Sequence, residues 1–198
     1  MITVVMRRAG EIDEVVKSFP SGKVSLVVDF SPRQKTFAVS KEFEETALAA
    51  FAEAGVRAMK MPFDRPFNTK QCDKLVPVLK KFAAGWMKHD PVCDIYSCAS
   101  AERLPKRLRS ARADVGERWA KPVRFEETIR RMYADGYRVF LEVGPRGLMT
   151  SAVGDALRGE EHAAIALNSI HRRGLLQMQH AVAQLVALGE QMDLTGDF

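Results

Sequence analysis

One uninterrupted stretch, Lys121 to Pro145, constrains this chain more than any other, because helix, turn and apolar strand follow one another there without a gap. Pro122 suits a helix entrance, where its missing N–H costs no hydrogen bond. Val123, Ile129, Met132 and Tyr133 recur near helical spacing and predict one core-facing side. Asp135-Gly136 stops the helix, since glycine adopts a left-handed C-cap without steric cost. Val139, Phe140, Leu141 and Val143 form a short apolar run bounded by turn residues, which predicts a strand buried on both faces, as in a parallel sheet. Gly144-Pro145 ends the run, and a further helix is expected from Leu148. Strand, Gly turn and helix in this order present backbone N–H groups at the carboxyl edge of a sheet, where α/β proteins bind ligands.

Upstream, the pattern is different. Ile2 to Met6 is a β-branched run and predicts a first strand. A short helix over Glu11 to Ser18 follows, then strands at Val24–Val28 and Thr36–Val39 around the turn Ser31-Pro-Arg-Gln34. Ser40 is placed to cap a helix over Lys41 to Ala54, which Gly55 ends, and Val56 to Met61 reads as a fourth strand. The order β-α-β-β-α-β is that of a ferredoxin-like module. Pro62 to Asn68 is a proline-rich linker, so the predicted domains are 1–63 and 64–198. In the second, a helix is expected over Cys72 to Lys88 with Leu75, Val78, Leu79 and Phe82 inward, then a short strand at Asp94–Cys98. Ser100 to Val115 is polar and basic, without a clear element. Beyond the opening stretch come a helix from Leu148 to Leu157, a strand at His162–Leu167 and a long helix from Leu175 to Gln191. The alternation predicts a parallel α/β layer.

The residues of the opening stretch also carry a family resemblance. Pro122-Val-Arg-Phe125, a helix, then Arg138-Val-Phe-Leu-Glu-Val-Gly-Pro145 resembles the C-terminal part of malonyl-CoA:acyl-carrier-protein transacylases, above all the acyltransferase domains of polyketide and polyunsaturated fatty acid synthases. The similarity can be followed from Met1 to Gly189. It implies a ferredoxin-like small subdomain followed by the C-terminal part of a hydrolase-like parallel α/β subdomain, with a cleft between them. It also implies a serine on a Gly-His-Ser-x-Gly elbow, a histidine base and a carrier-protein partner. The sequence departs from each catalytic part. No Gly-x-Ser-x-Gly occurs. The loop that holds the family's histidine matches Arg65-Pro-Phe-Asn68, so Asn68 stands where the base belongs. An amide has no lone pair of usable basicity. Arg118 occupies the place of the Asn or Gln that orients the histidine, and Arg has donors only. Arg65, Phe67, Asn68 and Arg118 are the candidate cleft residues.

The formal net charge is +5, and Lys106, Arg107, Arg109 and Arg112 form a cluster. A solvated face is the plain reading of such a cluster. Acyl carrier proteins are acidic, so the resemblance makes these four residues candidates for carrier-protein docking. Nucleic acid is not an expected partner, because no recognition motif accompanies the charge. No apolar run is long enough to span a membrane and no signal peptide is evident. Cys72, Cys93 and Cys98 lack zinc or redox spacing and read as reduced thiols of a cytoplasmic protein. The histidines at 89, 162, 171 and 180 show no metal or triad spacing, and no metal or cofactor is expected. Three functional expectations follow: a non-catalytic structural or docking component of a synthase, one half of a transferase completed by a serine-bearing chain, or a fragment of a longer polypeptide. The apolar strands of 64–198 imply a covering partner, hence a hetero- or homo-oligomer.

Overall fold

The computed structural model describes residues 1–62, 65 and 67–192. The β-branched start of the chain forms β1 (Ile2–Val5), and its alternating side chains place Ile2 and Val4 in a fully buried core. β2 (Val24–Ser31) and β3 (Gln34–Val39) form a hairpin around the Ser31–Gln34 turn. With β4 (Arg57–Lys60) and β7 (Val123–Arg124) they build one sheet in the order β4-β1-β3-β2-β7. The first four strands pair antiparallel, and α1 (Asp13–Lys17) and α2 (Glu44–Glu53) complete the ferredoxin-like βαββαβ module. Register is fixed in part by a buried cross-strand pair, Thr3 to Thr36, whose hydroxyls lie 2.9 Å apart. Phe37 of β3 and Phe51 of α2 meet at 5.9 Å in the core. Gly55, at φ 73°, ends α2, with the Val56 N–H donating back to the Phe51 carbonyl.

The fifth strand corrects the helix expected from Pro122. Val123 and Arg124 are strand β7, paired in parallel with Val28 and Asp29 of β2, and α5 begins only at Phe125 (Phe125–Ala134). A bulge in β2 prepares this junction: pairing skips Val27, which is fully buried, and slips again between Asp29 and Ser31. Phe30 then stacks on Phe125 at 5.1 Å. Edge pairing with β2 and the Phe30–Phe125 stacking hold Val123 and Arg124 in the sheet.

Other elements differ from their predicted form. Residues 70–88 are a 3-10 turn (Lys70–Leu75) and then α3 (Val76–Trp86), with Pro77 in the first turn. The stripe expected to face inward is largely outside: Val78 and Phe82 are exposed, and Ala83 is the buried residue of α3. The unassigned basic stretch contains α4 (Leu108–Glu117), which packs on α3. Gly116 permits that approach, since a Cβ there would lie 2.9 Å from the Val76 carbonyl oxygen. The strand at 94–98 is not part of a parallel layer. It is β5 (Tyr96–Ser97), paired antiparallel with β6 (Glu102–Arg103) in a short hairpin. Ser40 takes the extended N-cap backbone, but its side chain makes no cap bond.

The chain divides into two compact units, Met1–Asp135 and Gly136–Phe198. The boundary expected at 63/64 lies within the first unit, in which β7 also joins the ferredoxin-like sheet. In the second unit, β8 (Val139–Glu142) and β9 (Ala163–Ala166) pair in parallel, with α6 (Leu148–Ala156) between them and α7 (Gly174–Ala187) packed on β9. Phe140 and Ile165 are buried and Val139 packs against the cluster of Ile165, Ala181 and Leu185, while Leu141 is 42% and Val143 79% exposed, so the carboxyl end of β8 is incompletely covered. Among the described residues no helix is long and apolar enough to cross a membrane.

Candidate functional site

An open cleft of about 1350 Å³ lies within the first unit. Its walls are the ends of β2 and β3, the start of α2, the 68–71 segment and the 120–122 segment. Ser40, Lys60, Asn68, Lys70, Lys121 and Pro122 are among the residues that line it. Most of its charges are already matched. Lys60 Nζ contacts Glu44 Oε1 at 2.5 Å, Lys23 contacts Glu42 at 2.5 Å, and Lys121 contacts Glu117 at 3.1 Å. The Glu117 carboxyl titrates below its usual range because Lys80, and then Lys121, donate hydrogen bonds to its charged form.

Asn68 organises the 68–71 segment of the cleft lining. It adopts the left-handed backbone, φ 59°, which Asn tolerates better than most residues. Its Nδ2 donates to the backbone carbonyl of Arg118 at 2.8 Å. Beside it the Phe67 ring meets Trp119 edge-on at 6.0 Å. Thr69 then caps the following 3-10 turn, its hydroxyl accepting from the Gln71 N–H at 3.3 Å. The 67–70 loop is thus clipped to residues 118–119 by one amide and one aromatic pair.

Of the cleft candidates, Phe67, Asn68 and the backbone of Arg118 are brought together; Asn68 lines the cleft, and the described Arg65 is exposed. The Arg118 guanidinium turns away to Asp114, 3.3 Å from its Oδ2. Asp114 also accepts from the Ser97 hydroxyl. Sequence reasoning missed Asp114; the i, i+4 spacing to Arg118 in a helical stretch was the signal that could have found it. Among the described residues no histidine lines the cleft, and no group of three His, Cys, Asp or Glu is arranged to hold a metal.

Cys72 is buried one turn from Asn68, its N–H donating to the Thr69 carbonyl at 2.9 Å. The Cys98 thiol is pushed upward by burial, an effect partly opposed by a hydrogen bond with Thr128, which makes it a poor nucleophile. The docking candidates separate. Arg112 is committed to the carboxyl end of α3, its Nε donating to the Met87 carbonyl at 3.2 Å. Lys106 pairs with Asp94 at 2.9 Å. Arg107 and Arg109 are exposed. In the second unit, Glu142 of the Glu-Val-Gly-Pro signature accepts from the Thr150 N–H at 2.7 Å and from its hydroxyl at 2.8 Å. Its carboxylate therefore fixes the first turn of α6, a structural use.

No sequence-family model matches the chain. It is 29% identical over 192 residues to a 5-methyl-1-naphthoate synthase of Streptomyces sahachiroi, covering 93% of this chain and 10% of that protein. It is similar in fold to the acyltransferase domain from the second module of the salinomycin polyketide synthase, with a TM-score of 0.73 and 17% identity over 97% of this chain and 44% of that one. A malonyl-transacylase solved in complex with its type II polyketide synthase acyl-carrier protein gives a TM-score of 0.75 and 22% identity over 92% of this chain and 58% of that one. The chain thus spans about a tenth of the synthase and about half of the solved acyltransferases. The resemblance carried by Pro122 to Pro145 is borne out, and the fold is that of the acyltransferases.

Proposed function

We propose that this chain, which has the acyltransferase fold, is an acyltransferase-like component of a polyketide or fatty-acid synthase system that transfers no acyl group on its own and serves as a structural or carrier-protein docking subunit. The observation that carries this reading is at position 68. Where the resemblance puts the catalytic base, an amide that cannot accept a proton is engaged as a donor to the Arg118 carbonyl at 2.8 Å. The sequence supplies no serine elbow for a base to activate.

The docking role rests on Arg107 and Arg109, which are exposed, beside the more committed Lys106 and Arg112. The test is calorimetric titration of the chain with a recombinant holo acyl carrier protein. Binding that weakens with salt, and by about tenfold in an Arg107→Glu/Arg109→Glu variant, is expected. Binding indifferent to both would contradict the docking role.

The alternative reading is one half of a transferase, completed by a serine-bearing half that moves an acyl group from coenzyme A to a carrier protein. The coverage favours it, since the solved acyltransferases are about twice as long as the part this chain matches. The exposed carboxyl end of β8, at Leu141 and Val143, also favours it, because parallel strands are ordinarily buried on both sides.

A further inference from the structure

Helix α3 is apolar around more of its circumference than its contacts use. One side, with Ala83 fully buried, packs against α4. On the adjoining side Leu75, Val78, Phe82 and Trp86 follow at intervals of three, four and four residues and are 46%, 63%, 66% and 58% exposed. The Phe82 and Trp86 rings meet edge-on at 6.4 Å, so the stripe ends in a preformed aromatic pair. A helix apolar over so wide an arc belongs against two neighbours. The border of the stripe is basic. Lys74 precedes α3, Lys81 lies within it and Lys88 follows it, seven residues apart and all exposed. Lys88 folds back over the helix end, its Nζ donating to the Ala84 carbonyl at 3.2 Å. Residues 70–89 hold five lysines against the single acid Asp73.

We propose that this face docks an acidic amphipathic helix of a protein partner. Its apolar side chains would cover Phe82 and Trp86, and its Asp or Glu border would face Lys74, Lys81 and Lys88. Charge complementarity selects this occupant. A second copy of the chain, laid stripe to stripe, would bring lysine row against lysine row if antiparallel, and if parallel would set each lysine row against the partner's Leu79 and Ala83 border, with no acid to match it. A helix lying on an anionic membrane is rich in cations across its polar face. Here the other border runs into Leu79 and Ala83, which lie toward α4, and only one row of cations exists. Exposed aromatic anchors beside a charged rim are the usual composition of a protein-binding hot spot. The proposal concerns a surface separate from Arg107 and Arg109 and does not depend on the docking role proposed for them.

Trp86 and Trp119 are the two tryptophans, so Trp119→Phe leaves Trp86 emission as the reporter. The probe is a synthetic amphipathic helix with a leucine face and glutamate borders. The matched controls are the same peptide with lysine borders, phosphatidylglycerol vesicles, and light scattering of the chain alone. A saturable blue shift with the glutamate peptide, weakened by salt and by about tenfold in Lys81→Glu/Lys88→Glu, is expected. Should that variant fail to fold, the salt titration of the chain with native lysines decides the same point. No saturable shift, or equal binding of both peptides, would overturn the proposal. So would vesicle binding that outcompetes the glutamate peptide, or a dimer that Phe82→Ser dissolves.

Discussion

At position 68 two physical contributions can be separated. The amide donates to the Arg118 carbonyl at 2.8 Å, and the backbone sits at φ 59°. A hydrogen bond of this kind contributes about 0.5–1.5 kcal/mol net, and a left-handed backbone costs a residue with a Cβ about 1–2 kcal/mol. Asn68→Ala loses the bond and keeps the strain, so a loss of about 1–2 kcal/mol in urea unfolding is expected. Asn68→Gly loses the bond but relieves the backbone, and its loss should be smaller. Equal losses would mean that the left-handed conformation carries no strain here. An unchanged midpoint in both would mean that the clip between the 67–70 loop and the 118–119 segment adds nothing to stability. Asn68 was legible in the sequence as a departure from a catalytic position. Its actual partner was not, because that partner is a carbonyl fifty residues away and leaves no trace in side-chain identity.

At the level of elements, the α3–α4 contact is the most sharply constrained. Gly116 faces Val76 and Lys80, and an added Cβ would come within 2.9 Å of the Val76 carbonyl and 2.7 Å of Lys80 Cγ. The lysine can shift, but the backbone oxygen cannot without separating the helices. Gly116→Ala should therefore destabilise the chain by about 1–3 kcal/mol in spite of alanine's better helix propensity. A stabilised variant in thermal unfolding would show that the two helices yield. The element order of the ferredoxin-like module was legible, because its β-branched runs and Gly turns agree locally, but the cap bond expected of Ser40 is not made. The failures share a cause. Val123 was read as helical because spacing cannot register that β2 offers it a strand partner. Val78 and Phe82 were read as buried because apolarity says that a face wants cover, not that this chain supplies it. The 94–98 strand was read as parallel from order alone, while the Ser97–Ala101 turn closes it into a hairpin, with Ala101 at φ 57°.

For the whole molecule, the two units differ in completeness. The unit Met1–Asp135 carries an entire ferredoxin-like module with its own core. The unit Gly136–Phe198 pairs two parallel strands, and Val143 beyond β8 is 79% exposed. Solved acyltransferases are about twice as long as the stretch this chain matches. Asn68 stands where the resemblance puts the base and is engaged as a structural clip, and no Gly-x-Ser-x-Gly occurs in the chain. The central claim is that the chain alone carries out no acyl transfer. It is tested most directly by intact-mass measurement after incubation with malonyl-CoA or acetyl-CoA. The chain and its Asn68→His variant are both predicted to keep their unmodified mass, since a base without a nucleophile has nothing to deprotonate. A stoichiometric acyl adduct that survives thiol treatment would contradict the account.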